Sequence, residues 1–302
     1  LSAERTAGAH SYFVPVSHTV MARRHLGDAF LALEQTAVID TDPARARALI
    51  EKNFGGLENP ASERRRAEYP VPAMAASKSL VITDKENTSA SLQLFGSGFA
   101  SKPVMTLADY RQQLNRAIVF AALNQRLAEQ AQQNQPPFIA AYSGIGGLVR
   151  GQEAYQGVAV IGDKGTEPAL TALVLESERM RRFGVTQAEL DRAKSNLGKA
   201  YEQAFNERDK TQSAAFAQAY IQHFLQQAPI PGAEFDLQYA NQLLPGISLE
   251  DVNAYAARWI PDNGKTLTAL IAPDKTDYPL PDATALTKQL SEAYTQPVTP
   301  YI

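Results

Sequence analysis

The chain has 302 residues, 44% of them hydrophobic, with 29 Lys and Arg against 32 Asp and Glu for a net charge of -3. That length leaves room for two domains, the hydrophobic content suits a core-forming fold, and the balance of charge argues against an electrostatic nucleic-acid surface. There is no Cys, which excludes disulfides and thiolate metal sites, and no apolar run reaches the length a membrane-spanning helix needs.

Residues 1–18 are weakly patterned. His18 to Gln35 reads as a helix, with Val20, Met21, Leu26, Phe30 and Leu33 apolar, and Thr36 to Ile39 as a short β-like run. Asp42-Pro43 starts a helix, with Asp at the N-cap and Pro at the first helical position, and Gly55-Gly56 ends it. Glu58 to Pro72 is a polar linker whose Arg64-Arg65-Arg66 triplet reads as solvated. Strands are expected at Lys78–Thr83 and Ala90–Phe95, where Leu92 and Leu94 alternate with Ser91 and Gln93. Thr106 with Asp109 caps a helix running to about Gln133, with a stripe of Leu107, Tyr110, Leu114, Ile118, Ala121 and Leu127. Two further strands, Phe138–Tyr142 and Tyr155–Ile161, flank SGIGGLVRGQEA, which reads as a glycine-rich turn. A helix over Glu167–Arg182 stops at Gly184.

Thr186 and Glu189 then form a capping box. Leu190, Ala193, Leu197, Tyr201, Ala204 and Phe205 make one face of the long helix that follows. Pro231-Gly232 and Pro245-Gly246 separate further helices. Ser248 with Asp251 caps the next one, which ends at Trp259-Ile260-Pro261. Thr266–Ala272 is a last strand and Asp282–Tyr294 an amphipathic helix. Strands and helices segregated in this way predict an α+β layer architecture with a mainly antiparallel sheet.

The residues carry little catalytic pattern. The four His are His10, His18, His25 and His223. None belongs to an HxxEH or HExxH motif. His18 and His25 share a helical face but stand roughly 10 Å apart along the axis, too far to chelate one metal; a surface or interface role is the plainer reading. His223 reads as a helix-face residue. Ser143, between Tyr142 and Gly144, lacks a GxSxG elbow, and the glycines of its loop match neither a phosphate loop nor a dinucleotide fingerprint. Glu207 to Lys210 reads as a solvated helix end.

The order RRFGVTQAELDRAK, YEQAFNERDKT, APIPG, LLPGISLEDVNAYAARWI, with DPARARALIEKNFGGL and EYPVP upstream, resembles the pitrilysin or insulinase family of zinc metallopeptidases, which includes the mitochondrial processing peptidases. The likeness covers roughly Asp42 to Ile302, and its motifs are scaffold motifs. It implies a homology domain with helices packed on one sheet face. Residues 1–66 would be the C-terminal remnant of a preceding homology domain plus linker. Residues 67–272 would be a complete non-catalytic homology domain, and 273–302 a connector helix and tail towards a second half.

Catalytic members of the family hold zinc through HxxEH and a downstream Glu. No cofactor is therefore expected in this chain, and zinc is expected in a catalytic domain of the full protein. The implied function is a non-catalytic section of a zinc metalloendopeptidase, inactive alone, which walls a peptide-degrading chamber and contacts extended peptide. The implied partners are that peptide and a catalytic homology domain in the same gene product or in a partner subunit, with self-association through uncovered apolar surface at residues 1–40 and the helix Asp282–Tyr294. A catalytically inactive scaffold or assembly subunit is the alternative. The resemblance favours a bacterial periplasm. It also implies an Arg and a Tyr that reach substrate, and Arg150 and Tyr155 occupy a topologically similar place; ordinary strand packing or surface pairing is the competing reading for both.

Overall fold

The computed structural model describes residues 42–58, 62, 71–72, 74–226, 228–262, 265–275 and 279–302. His10, His18, His25, the helix and short strand expected before Asp42, and most of the linker lie outside them. Two compact units are present, Leu1–Tyr69 with Asn206–Gly232, and Pro70–Phe205 with Ala233–Ile302.

In the first unit, helix α1 spans Pro43–Phe54, and the Asp42 carboxylate accepts the Ala44 N–H at 3.0 Å, as the Asp-Pro start predicts. A 3-10 turn, Arg208–Lys210, precedes a helix over Ser213–Gln226. Glu207 to Lys210 are exposed.

The second unit is built on a six-stranded sheet. In chain order it contains β1 (Lys78–Asp84), β2 (Ser91–Phe95), β3 (Phe99–Ala100), α2 (Leu107–Ala131), β4 (Ala140–Val149), β5 (Gln152–Val160), α3 (Thr166–Phe183) and α4 (Gln187–Asn206). With the helix Ser213–Gln226 of the first unit as α5, there follow α6 (Gly232–Leu243), α7 (Leu249–Trp259), β6 (Leu267–Pro273) and α8 (Ala283–Thr295). β2 pairs antiparallel with β5 and β6, and β5 with β3 and β4. β1 pairs parallel with β6. The sheet is thus mixed but mainly antiparallel, and the architecture is α+β.

One face of the sheet is the core. Leu92 and Leu94 of β2, Leu270 of β6 and Tyr155 of β5 are buried under Leu114, Ile118 and Leu123 of α2 and Leu170 and Leu173 of α3. The helices start where the sequence places them. Thr106–Asp109 and Ser248–Asp251 are complete capping boxes. Thr186 Oγ1 accepts the Glu189 N–H at 3.3 Å while Glu189 accepts the Thr186 N–H at 2.7 Å.

Several expectations are corrected. Tyr110, Leu114, Ile118 and Leu127 of the expected α2 stripe are buried, but Leu107 and Ala121 are exposed, and Ala122 and Arg126 join the buried face. Leu197 and Tyr201 are half-buried against the core, and Ala204 is exposed. The glycine-rich stretch is no loop. Gly144, Gly146 and Gly147 lie within β4, which continues to Val149 and turns back at Arg150-Gly151, with Gly151 at φ +75°. Cross-strand pairing with β5 overrides the low strand propensity of glycine there. The apolar face of α8 is also not left uncovered. Leu286, Leu290, Ala293 and Tyr294 are buried, because α8 packs against α3 and β1.

Candidate functional site

Arg150 sits in the exposed β4–β5 turn. Tyr155, five residues on, is 1% exposed on the helix-covered face of β5. Its hydroxyl donates to Ser143 Oγ at 3.0 Å and lies 2.6 Å from Ser177 Oγ. Burial pushes its phenol up, against the two serines. The structure therefore does not bring Arg150 and Tyr155 to one surface. Tyr155 is a core residue that ties β4, β5 and α3 together, and only Arg150 is accessible to a ligand. Ser143 is fully buried with its hydroxyl in that same cluster, so it has no access to substrate.

The unit has a larger polar centre that sequence reasoning missed. Arg126 of α2, 1% exposed, donates from Nε to Glu189 Oε1 at 2.7 Å and from Nη2 to Glu189 Oε2 at 2.7 Å. Nη2 also donates to the Gly184 carbonyl at 3.0 Å, and Nη1 reaches Glu176 Oε1 at 3.5 Å. The Tyr301 ring covers the guanidinium at 4.3 Å, and its hydroxyl donates to Glu129. Glu176 also accepts from Arg179 and from Gln130, the latter at 2.8 Å. Burial pushes the Glu176 carboxyl above the usual range, against the pull of Arg179 and Arg126. Burial would raise Glu189 as well, but the Arg126 fork and the Thr186 groups outweigh it and hold that carboxyl low. The available signal was phase: Arg126 falls four residues after Ala122 and eight after Ile118, squarely on the buried stripe.

A cavity of about 670 Å3 opens beside this centre, lined by α2, α3 and the tail, with Glu129, Glu167, Glu176 and Arg179 among its walls. Its two arginines and Glu176 are committed to one another. The arrangement clamps helices together and presents no nucleophile beside a base.

The edges of the sheet differ. β4 has only β5 as its neighbour, and side chains of α2 cover its other flank. Asn124 donates to the Ser143 carbonyl at 2.9 Å and accepts the Ser143 N–H at 2.7 Å. Arg116 donates to the Ile145 carbonyl and to Glu153, the latter at 3.0 Å. β1 has only β6. The Lys78 N–H donates to the Thr266 carbonyl at 3.0 Å, which fixes the phase: Lys78, Leu80, Ile82 and Asp84 bond towards β6, and the main-chain groups of Ser79, Val81 and Thr83 point away from it. Among the described residues nothing pairs with them. Leu80 and Ile82 are 49% and 47% exposed.

Among the described residues, no group of three or more His, Asp or Glu is placed to hold an ion. His223 is exposed on α5, with Nδ1 2.8 Å from the Ala228 carbonyl. No helix among the described residues is long and apolar enough to cross a membrane.

A mainly antiparallel sheet with helices packed on one face is the architecture expected of a homology domain of the pitrilysin or insulinase type. Residues 37–197 match the family described as Peptidase M16 inactive domain, and the chain belongs to that family. It is 26% identical over 210 residues to a zinc protease PQQL-like protein of Arabidopsis thaliana, a match covering 70% of this chain and 19% of the relative. The chain thus spans about a fifth of the length of that curated relative. The first half of the periplasmic protease PqqL from Escherichia coli has the same fold, with TM-score 0.69 at 19% identity over 87% of this chain and 56% of that one. So does a predicted insulinase family protease from Yersinia pestis, with TM-score 0.63 at 16% identity over 85% of this chain and 54% of that one.

Proposed function

We propose that this chain is a non-catalytic section of a zinc metalloendopeptidase, where it forms part of the wall of a peptide-degrading chamber and contacts extended peptide. The observation that carries this reading is the match of residues 37–197 to the inactive domain of the family. The catalytic work, zinc included, falls to a homology domain carrying HxxEH, in the same gene product or in a partner subunit. The open edge of β1 supports the peptide contact, because unpaired main-chain groups take an added strand. Arg150, exposed at the β4–β5 turn, is the side chain proposed to meet substrate. A bacterial periplasmic setting is proposed on the likeness to PqqL, a periplasmic protease.

The test is reconstitution. The chain is mixed with a separately produced catalytic half, and hydrolysis of an unstructured fluorogenic peptide is followed. Faster hydrolysis in the mixture, reduced by Arg150→Ala, is the expected result. A catalytic half whose rate is indifferent to this chain would refute the chamber reading and leave the scaffold reading in its place.

A further inference from the structure

The open edge of β1 is complementary to itself. Its seven residues, KSLVITD, can face a second copy antiparallel about a two-fold axis through Val81. In that register Ser79 stands opposite Thr83 of the second copy and Val81 opposite its own counterpart. Those are the residues whose N–H and C=O groups point away from β6, since Lys78 bonds inward to Thr266. The hydrogen-bonded positions of the new ladder therefore coincide with the unpaired groups. The alternate positions share the sheet face turned away from the helices, because Val81 packs on the core and Ser79 accepts the Thr287 hydroxyl of α8 at 2.8 Å. There Lys78 stands opposite Asp84 twice, and the half-exposed Leu80 opposite Ile82 twice. Opposite charges and apolar pairs both stabilise directly facing positions, and like charges destabilise them.

We propose that two copies of this chain associate through antiparallel β1–β1 pairing, joining their sheets into one. The other edge does not offer this, because Asn124 and Arg116 already hold the main chain of β4 at Ser143 and Ile145. A single strand a side is a small interface, so the dimer is weak and concentration-dependent. Self-pairing covers the groups that an extended peptide would use. It does not depend on the peptidase reading, since the complementarity lies in β1 alone.

Sedimentation velocity of the 302-residue chain over a concentration series tests it. A monomer–dimer equilibrium is expected. Thr83→Pro removes an outward N–H that bonds to nothing in the monomer, and Pro is tolerated at such edge positions; it shifts the equilibrium to monomer. Lys78→Glu places like charges opposite each other twice and weakens the dimer about tenfold. Asp84→Lys does the same. Mixed together, these two variants face Glu against Lys and Lys against Asp, and they form a heterodimer that neither forms alone. Asp84 also accepts the Glu86 N–H at 2.8 Å, so each variant is checked by circular dichroism, and Thr83→Pro decides if Asp84→Lys is unfolded. A chain monomeric at every concentration overturns the proposal, even if it binds peptide. So does a dimer indifferent to Thr83→Pro and Lys78→Glu.

Discussion

Replacing Arg126 with Met tests whether the polar centre between α2, α3 and α4 is structural. The substitution keeps most of the side-chain volume and removes the guanidinium. Glu189 and Glu176, 3% and 1% exposed, are then left without their shared counter-charge. The lost contacts are the two 2.7 Å bonds to Glu189, the 3.0 Å bond to the Gly184 carbonyl and the 3.5 Å contact to Glu176. A hydrogen bond to a charged group contributes about 1.5–3 kcal/mol, so three of them sum to a gross loss of roughly 4.5–9 kcal/mol, an upper bound because the desolvation of the guanidinium is recovered. Breaking a buried pair from one side costs about 3–5 kcal/mol. For a unit of this size that corresponds to a fall in Tm of roughly 6–20 °C. Arg126→Lys keeps the charge but cannot make the two-pronged bond, and it falls between the two. Urea titration of parent, Arg126→Met, Glu189→Gln and the double variant gives the coupling energy. Arg126→Met within about 1 kcal/mol of the parent, or additive single effects, would refute the reasoning.

Two further outcomes follow from the same region. A methyl group on Gly184, which has φ +68°, would sit 2.0 Å from Asn253 Oδ1, the atom that accepts the Val185 N–H at 2.9 Å. Gly184→Ala should therefore cost at least about 1–3 kcal/mol of backbone strain, whereas Gly198→Ala, with open space at its Cβ, should be neutral or stabilising; equal melting temperatures for the two would count against a rigid elbow at Gly184. Stability should also fall in acid. Asp251 is held at about 2 by the Ser248 N–H and hydroxyl and by Arg111, and Glu189 and Glu178 are held low by their arginines against burial. Their folded values lie below the unfolded ones, so their contribution is complete above the ordinary carboxylate range of about 4 and is lost as pH falls through the folded values. Glu176, raised by burial, acts in the opposite sense: its contribution is present in acid and lost as pH rises through its folded value. A urea midpoint that stays flat from about pH 5 to pH 2.5 would contradict the first three assignments.

What the sequence determined by itself is local. The capping boxes at Thr106 and Ser248, the Thr186–Glu189 box and the Asp42-Pro43 start are decided by side chains within three residues of the groups they bond, so reading the chain in order suffices. The α+β class follows from the same pattern of starts and stops. The tertiary structure decided whatever joins distant residues. Arg126 finds Glu176 and Glu189 across 50 and 63 positions, and only that meeting turns an arginine on a buried stripe into the centre of a clamp. The glycines of β4 are strand because β5 lies beside them, and Tyr155 is core because Ser177 of α3 comes down upon it. β1 is an edge because Leu267–Pro273, from the far end of the chain, pairs with its other side. Hydrogen bonds and packing act over a few ångströms, and the distance along the chain between such partners leaves no mark in either local sequence.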